Sequence, residues 1–226
     1  MTPEPVTAPR SVTDLGAARR AFLTAALRRP GTVGAVVPSS ARLAEVLVSI
    51  VPRAGSPVVV ELGPGTGAVS TVITRRLPAT ARHLAVELDP HMVAYLRRHH
   101  PDLEVVPGDA AQLVALLAER GLSRADAVIC GLPWSLFDQR TQEAILGQVS
   151  QVVGTTGAFT TFGYLQSMTL AAARRFRATL RATFDEVVVS ATVWRNVPPA
   201  FVYVCRRPVL APAPDPLPSG SDPAAG

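Results

Sequence analysis

Hydrophobic positions along the chain fall into short β-branched runs separated by stretches with helical spacing. Val58, Val59 and Val60 are apolar without alternation, as a central strand buried on both faces requires. After Gly67, the residues Val69, Val72, Ile73 and Leu77 share one helical face. The alternation continues with a strand over 82–88, a helix opened by Pro90 and reaching about residue 100, and a strand over 103–106. An Ala/Leu-rich helix capped by Asp109 runs to about 120, followed by a strand over 125–130 and a helix over about 139–151. A strand over 158–162, an arginine-studded helix over about 167–180 and two β-rich runs, 184–194 and 201–206, complete the pattern. Upstream, Thr13 or Asp14 caps a helix to about residue 28, and Ser39 or Ser40 caps another over about 41–51. Strands alternating with helices and a hairpin-like finish predict an α/β doubly wound sheet. The expected division is a disordered arm (1–12), N-terminal helices (13–55), a main domain (56–207) and a disordered Pro/Ala/Ser/Gly-rich tail (208–226).

Composition adds few constraints. A hydrophobic fraction of 48% and a mean hydropathy of +0.26 allow a sizeable core. No apolar run reaches the roughly 18–20 residues that span a bilayer, and the Pro/Thr-rich start lacks the apolar core of a secretory signal. These features predict a cytoplasmic protein. All 22 basic residues are arginine, against 17 acids, for a net charge of +5. That balance suits nucleic acid or an acidic lipid surface, and it equally follows from the coding bias of a GC-rich genome. In the 13–28 helix, Leu15, Phe22, Leu23, Ala26 and Leu27 fall near one face, with Arg19, Arg20, Arg28 and Arg29 around it. Such a helix either lies on a membrane surface or packs its stripe on its own domain. Cys130 and Cys205 read as small buried hydrophobes. The four histidines read as surface residues, without the spacing of metal ligands.

The candidate chemistry centres on Glu61-Leu62-Gly63-Pro64-Gly65-Thr66-Gly67. Glycines at alternate positions between a strand and a helix let the backbone turn sharply and approach a ligand, as in a Rossmann-like unit. The spacing is not the G-x-G-x-x-G of nicotinamide enzymes. Glu87, at the end of the second strand, can accept from both hydroxyls of a ribose. Asp109, beyond the third strand, can accept from an adenine amino group. As structural alternatives, Glu61 holds loop amides and Asp109 is only a helix cap.

An acid, G-x-G-x-G, and acids after the second and third strands together resemble the class I S-adenosylmethionine-dependent methyltransferases. The resemblance implies a Rossmann-like seven-stranded sheet with helices on both faces and an antiparallel last strand. It also implies S-adenosylmethionine as cofactor, with S-adenosylhomocysteine as product. Gly63, Gly65 and Gly67 would line its methionine and ribose portion, with Glu61 at the loop. Glu87 and Leu88 would sit at the ribose and Asp109 and Ala110 at the adenine, and the Ser39-Ser40 turn would close over the methionine end.

For the acceptor, Gly131-Leu132-Pro133-Trp134 resembles the N-L-P-Y motif of rRNA adenine dimethyltransferases, with Gly131 in place of the asparagine and Trp134 in place of the tyrosine. The missing amide weighs against nucleic acid. Other segments resemble the bacterial phospholipid N-methyltransferases. These are Phe22-Leu23, Arg28-x-Pro30-x-x-Val33-Gly34-Ala35-Val36-x-Pro38-Ser39-Ser40, Leu43-Ala44, Gly157-x-Phe159-x-x-Phe162-x-Tyr164 and Asn196-x-Pro198-Pro199-Ala200-x-Val202-Tyr203. That resemblance implies methylation of the amine headgroup of phosphatidylethanolamine or a related aminolipid. It further implies peripheral contact with an anionic membrane, at the inner face of the cell membrane, through residues 14–29. The Gly131 and Leu132 carbonyls and the Tyr164 hydroxyl would orient the amine, and Trp134 would shape the pocket and favour growing positive charge. Methylation of a soluble amine is the alternative, with rRNA adenine behind it.

Overall fold

The computed structural model describes residues 40–209. The arm, the 13–28 helix, Ser39 and the tail from 210 lie outside the described residues. Within them the chain runs α1 (Ala41–Leu47), β1 (Val58–Leu62), α2 (Ala68–Arg76), β2 (Arg82–Glu87), α3 (Pro90–His99), β3 (Glu104–Pro107) and α4 (Leu113–Ala118). It continues with β4 (Ala127–Cys130), α5 (Gln139–Val153), β5 (Ala158–Tyr164), α6 (Ala171–Thr183), β6 (Phe184–Val189) and β7 (Ala200–Pro208).

Several helix starts follow from side-chain caps. Ser40 Oγ accepts from the Leu43 amide, Asp89 Oδ1 from His91 with Pro90 in the first turn, and Asp138 Oδ1 from Thr141. The region after Asp109 is split: a 3-10 turn, Ala110–Gln112, precedes the short α4. The arginine-rich helix starts at Ala171, later than expected, because Leu165–Ser167 forms a separate 3-10 turn. The run 184–194 is a strand only to Val189; beyond it the chain curls, with a single bridge between Val193 and Ala200, into a loop carrying Pro198 and Pro199, which have no N–H to pair.

The seven strands lie in the order β3-β2-β1-β4-β5-β7-β6, with β7 antiparallel to both neighbours. This is the Rossmann-like sheet with the antiparallel last strand that the sequence resemblance implied. Alternation along the strands feeds two cores. Val60, Leu62, Leu84, Val86, Val128, Cys130 and Phe159 meet α4, α5 and α6 on one face. Val59, Ala127, Ile129 and Val202 meet α1 and α2 on the other. Both cysteines are buried and free, and burial pushes their thiols up to about 12. The chain leaves β1 toward β2 and β3, then returns to β4 on the other side of β1. The carboxyl ends of β1 and β4 therefore flank the switch point at which open α/β sheets bind ligands.

Candidate active site

The glycine loop fills the first half of this switch point. Gly63, Gly65 and Gly67 have φ of +69°, +57° and +83°, a region that other residues rarely enter. Each glycine faces something different. A Cβ at Gly63 would meet the Leu132 side chain at 2.7 Å, and one at Gly67 would enter the His100 ring. A Cβ at Gly65 would meet nothing within 4 Å, so the middle of the loop opens onto free space. The Gly63 amide donates to Val86 O of β2, and the Gly67 amide donates to Pro64 O. His100, at the end of α3, places Nε2 3.2 Å from Thr66 O and braces the loop from outside.

Glu87 is buried at the end of β2, where Oε1 accepts from the Leu88 and Asp89 amides at 2.8 and 2.9 Å. Burial raises its pKa above the ordinary 4.5. Hydrogen bonds from the amides of Asp89, Leu88 and Gly65 oppose that rise, and the nearby Asp89 charge adds to it. The Gly65 contact ties the acid directly to the loop. Asp109 follows β3, its Oδ1 accepting from Ala111, and Ala110 beside it is buried. Glu61 differs in orientation. The period of two along β1 turns it toward α2, where Oε2 accepts from Ser70 Oγ at 2.6 Å. The His83 ring is buried beside it, with Nε2 3.3 Å from Oε2 but outside hydrogen-bonding geometry. This corrects the surface reading of His83; His91 and His99 are exposed. The loop, Glu87 and Asp109 thus share the carboxyl edge, and Glu61 supports the loop from beneath. An open cradle of left-handed glycines beside a buried carboxylate fits an adenosyl group with free ribose hydroxyls.

The second half of the switch point is the Gly131–Trp134 turn. The Gly131 amide donates to Leu62 O at 2.8 Å, and a Cβ at Gly131 would lie 2.8 Å from Gly63 O. Backbone therefore touches backbone here, with no room for a side chain at 131. The Leu132 carbonyl accepts the Trp134 amide at 3.0 Å, which commits it to the turn. Trp134 is only 6% exposed; its Nε1–H donates to Thr161 Oγ1 at 2.7 Å and its ring stacks on Phe176 at 4.6 Å. Thr161 in turn donates to Cys130 O, and Gln142 Nε2 donates to Trp134 O at 2.9 Å.

Beside this turn lies a cavity of about 390 Å³. Its walls include Gly131, Trp134, Phe137, Tyr164, Phe176 and Arg175. Tyr164 packs edge-on against Phe162 at 5.6 Å, and burial raises its phenol pKa. Thr161, Gln142, Phe176 and Arg175 escaped the sequence reading. Thr161 and Gln142 had a visible signal, polar residues at apolar positions of a buried strand and a helix face. The Ser40 amide, the first described group of the Pro-Ser-Ser segment, donates to Asn196 Oδ1 at 3.0 Å. Asn196 Nδ2 donates to Pro198 O at 2.7 Å, so the two motif-like segments are joined across the fold.

Residues 59–157 match the family model described as "Methyltransferase domain". The chain is 33% identical over 188 residues to an ornithine lipid N-methyltransferase from Singulisphaera acidiphila, covering 82% of this chain and 94% of that protein. A ribosomal RNA small subunit methyltransferase A from Chlorobaculum parvum is 35% identical over 78 residues, 34% of this chain and 27% of that one. Among solved structures, human methyltransferase-like protein 13 in complex with S-adenosylhomocysteine superposes with a TM-score of 0.53 at 17% identity, covering 84% of this chain and 81% of that one. At that identity the superposition speaks for the fold alone. The near end-to-end relationship to the lipid enzyme decides the family: this chain belongs to the class I S-adenosylmethionine-dependent methyltransferases.

Proposed function

We propose that the protein N-methylates the amine headgroup of an aminolipid, such as phosphatidylethanolamine or an ornithine-type lipid. The cavity beside the Gly131 turn carries this reading. Its volume of about 390 Å³ holds a headgroup and leaves acyl chains outside. Its walls are mostly aromatic and apolar, with Asp138, Gln142 and Arg175 among the polar groups, and Met168 and Leu170, both among its lining residues, are exposed to solvent. An arginine beside an apolar wall suits a headgroup in which a phosphate or carboxylate sits near the amine. The relationship to an ornithine lipid N-methyltransferase supports the same class.

S-adenosylmethionine supplies an electrophilic methyl group on a sulfonium; Gly63, Gly65, Gly67, Glu87, Leu88, Asp109 and Ala110 would hold it. The chain's own contribution on the acceptor side is orientation and desolvation. An alkyl ammonium must give its proton to water to become a nucleophile, and a pocket walled by Trp134, Phe137, Phe176 and Tyr164 favours the neutral amine. The Tyr164 phenol, with its pKa raised, stays protonated at neutral pH and can donate to or accept from the headgroup. The Gly131 carbonyl would accept from the amine N–H. Leu132, with its carbonyl engaged by Trp134, contributes its side chain against Gly63 instead. Trp134 would act as a fixed wall, one face covered by Phe176. Positioning accounts for most of the rate in such a displacement.

The test is transfer of radiolabelled methyl groups to a panel of aminolipids, polyamines, soluble amines and rRNA. Label in lipid extract supports the proposal; label only in a soluble amine or in rRNA refutes it.

A further inference from the structure

Two loops meet at the carboxyl edge of the sheet, the first of them forming part of the cavity wall through Ser167, Met168 and Leu170. One is 165–170, between β5 and α6; the other is 190–199, between β6 and β7. They are joined by the Leu165 amide, which donates to Pro199 O at 2.9 Å. Their large apolar side chains point out of the protein: Trp194 is 70% exposed, Val197 75%, Leu170 57% and Met168 37%. For a tryptophan and a branched aliphatic residue, such exposure is costly in water unless something covers them.

The exposure is built into the loop. Trp194 and Arg195 are the central residues of a tight turn closed by the Asn196 amide on Val193 O at 3.2 Å. Beneath the turn, Val193 is buried and bridged to Ala200. Asn196 is also buried, with its side chain holding the Ser40 amide and Pro198 O. The turn is thus fixed on its inner side by Val193 and Asn196, and this fixation holds Trp194 and Val197 outward. Around the same edge, Arg174, Arg175 and Arg195 are exposed, and none has an acid within ion-pairing distance among the described residues.

We propose that this edge, with Trp194, Val197 and Leu170 as its apolar points and Arg174, Arg175 and Arg195 around them, docks on an anionic lipid bilayer. The inference rests on the aminolipid reading for its biological sense, and it names a surface separate from residues 14–29. Tryptophan and arginine together are the side chains suited to the boundary between headgroups and acyl chains. Charge selects the occupant. The chain's own segment 1–39 carries five arginines and two acids, a net positive charge that offers little complement to three arginines without an acid partner among the described residues, whereas an anionic bilayer does. Docking in this pose would set the cavity mouth, flanked by Met168 and Leu170, against the headgroup layer.

The chain has two tryptophans, and Trp134 is buried, so tryptophan emission from the full-length protein reports the turn. On addition of phosphatidylglycerol vesicles, Trp194 emission is expected to shift to the blue and to become protected from acrylamide. Phosphatidylcholine vesicles should produce neither change, and salt should weaken the response. The double variant Arg195→Glu, Val197→Asp keeps the reporter and should lower apparent vesicle affinity on the order of tenfold or more. Its methyl transfer to aminolipid in detergent micelles should stay unchanged. If Trp194 remains open to acrylamide while the protein is vesicle-bound, or if the double variant binds as the parent does, the docking surface is wrong. Transfer to micellar aminolipid would then still stand. Conversely, insertion of Trp194 with no label in any lipid would keep the surface and remove the substrate.

Discussion

Replacing Gly131 by alanine tests the closest approach in the site. The added Cβ would sit 2.8 Å from Gly63 O, roughly 0.6 Å inside ordinary van der Waals contact. Leu62 O is a further 3.7 Å neighbour. Both opposing atoms are backbone, so no rotamer change relieves the clash. The Gly131 amide is also bonded to Leu62 O at 2.8 Å, and Leu62 is in register with Cys130. Relief therefore requires β1 and β4 to part at their carboxyl ends, which moves Gly63 and the loop that starts there. Overpacking of this kind costs about 1–3 kcal/mol. If the strain appears in the cofactor loop, affinity for S-adenosylhomocysteine should fall about 5- to 150-fold. If it appears in global stability, Tm should fall about 2–4 °C per kcal/mol for a chain of this size. Calorimetric titration with S-adenosylhomocysteine and a thermal melt on the same sample read both. Gly131→Asn should suffer at least as much and gain no adenine methylation, because no side chain fits where rRNA enzymes carry their asparagine. An alanine variant with unchanged affinity and unchanged Tm would refute the backbone contact between the two halves of the switch point.

Other perturbations have equally definite outcomes. Glu87→Ala should weaken S-adenosylmethionine binding by about tenfold or more, since two charge-assisted hydrogen bonds to ribose would be lost. Burial raises the Glu87 pKa above 4.5, so in the free protein the carboxylate takes up its proton at a higher pH than usual. The free fold is therefore expected to lose stability as pH rises through that window, because the native state holds the extra proton. Cofactor affinity should move the other way, falling as pH drops through the raised pKa, and Glu87→Gln should flatten that dependence in calorimetry. Thr161→Val leaves the buried Trp134 N–H without its acceptor, at a cost of about 1–3 kcal/mol. Thermal melts should register that loss, and kcat should drop as the Gly131–Trp134 turn loosens. Asn196→Ala removes the link between the Ser40 amide and Pro198 O and should also cost about 1–3 kcal/mol, read as a lower Tm.

Local signals explain why much of the geometry of this candidate site was legible before the structure. The unbroken valines of β1, the left-handed glycines and the acids closing β2 and β3 each encode their conformation within a few residues. Topology then brings them to one edge. What local reading missed depends on partners distant in sequence. Trp134 read as a residue that shapes the pocket and favours positive charge, but its fixation was hidden: Thr161 and Phe176, 27 and 42 residues away, hold its N–H and stack on one face of its ring. His83 read as a surface residue, yet it shares a face with Ala85 and Glu87 on a strand covered on both faces, and its ring is buried next to Glu61. Gly131 read as a lost asparagine; its geometry shows a position from which any side chain is excluded. Glu61 lay within the right motif, but the strand period turned it under the loop toward Ser70. Arg175 carried no motif at all, and only the packing of α6 on the Trp134 turn places it at the cavity.

The most direct measurement is methyl transfer by the full-length protein to phosphatidylethanolamine and an ornithine lipid in micelles, with ethanolamine, a polyamine and rRNA in parallel. The account predicts N-methylated lipid, abolished or sharply reduced by Gly131→Ala and Glu87→Ala, and little label elsewhere. Efficient methylation of a soluble amine or of rRNA, with both aminolipids left unmodified, would contradict it.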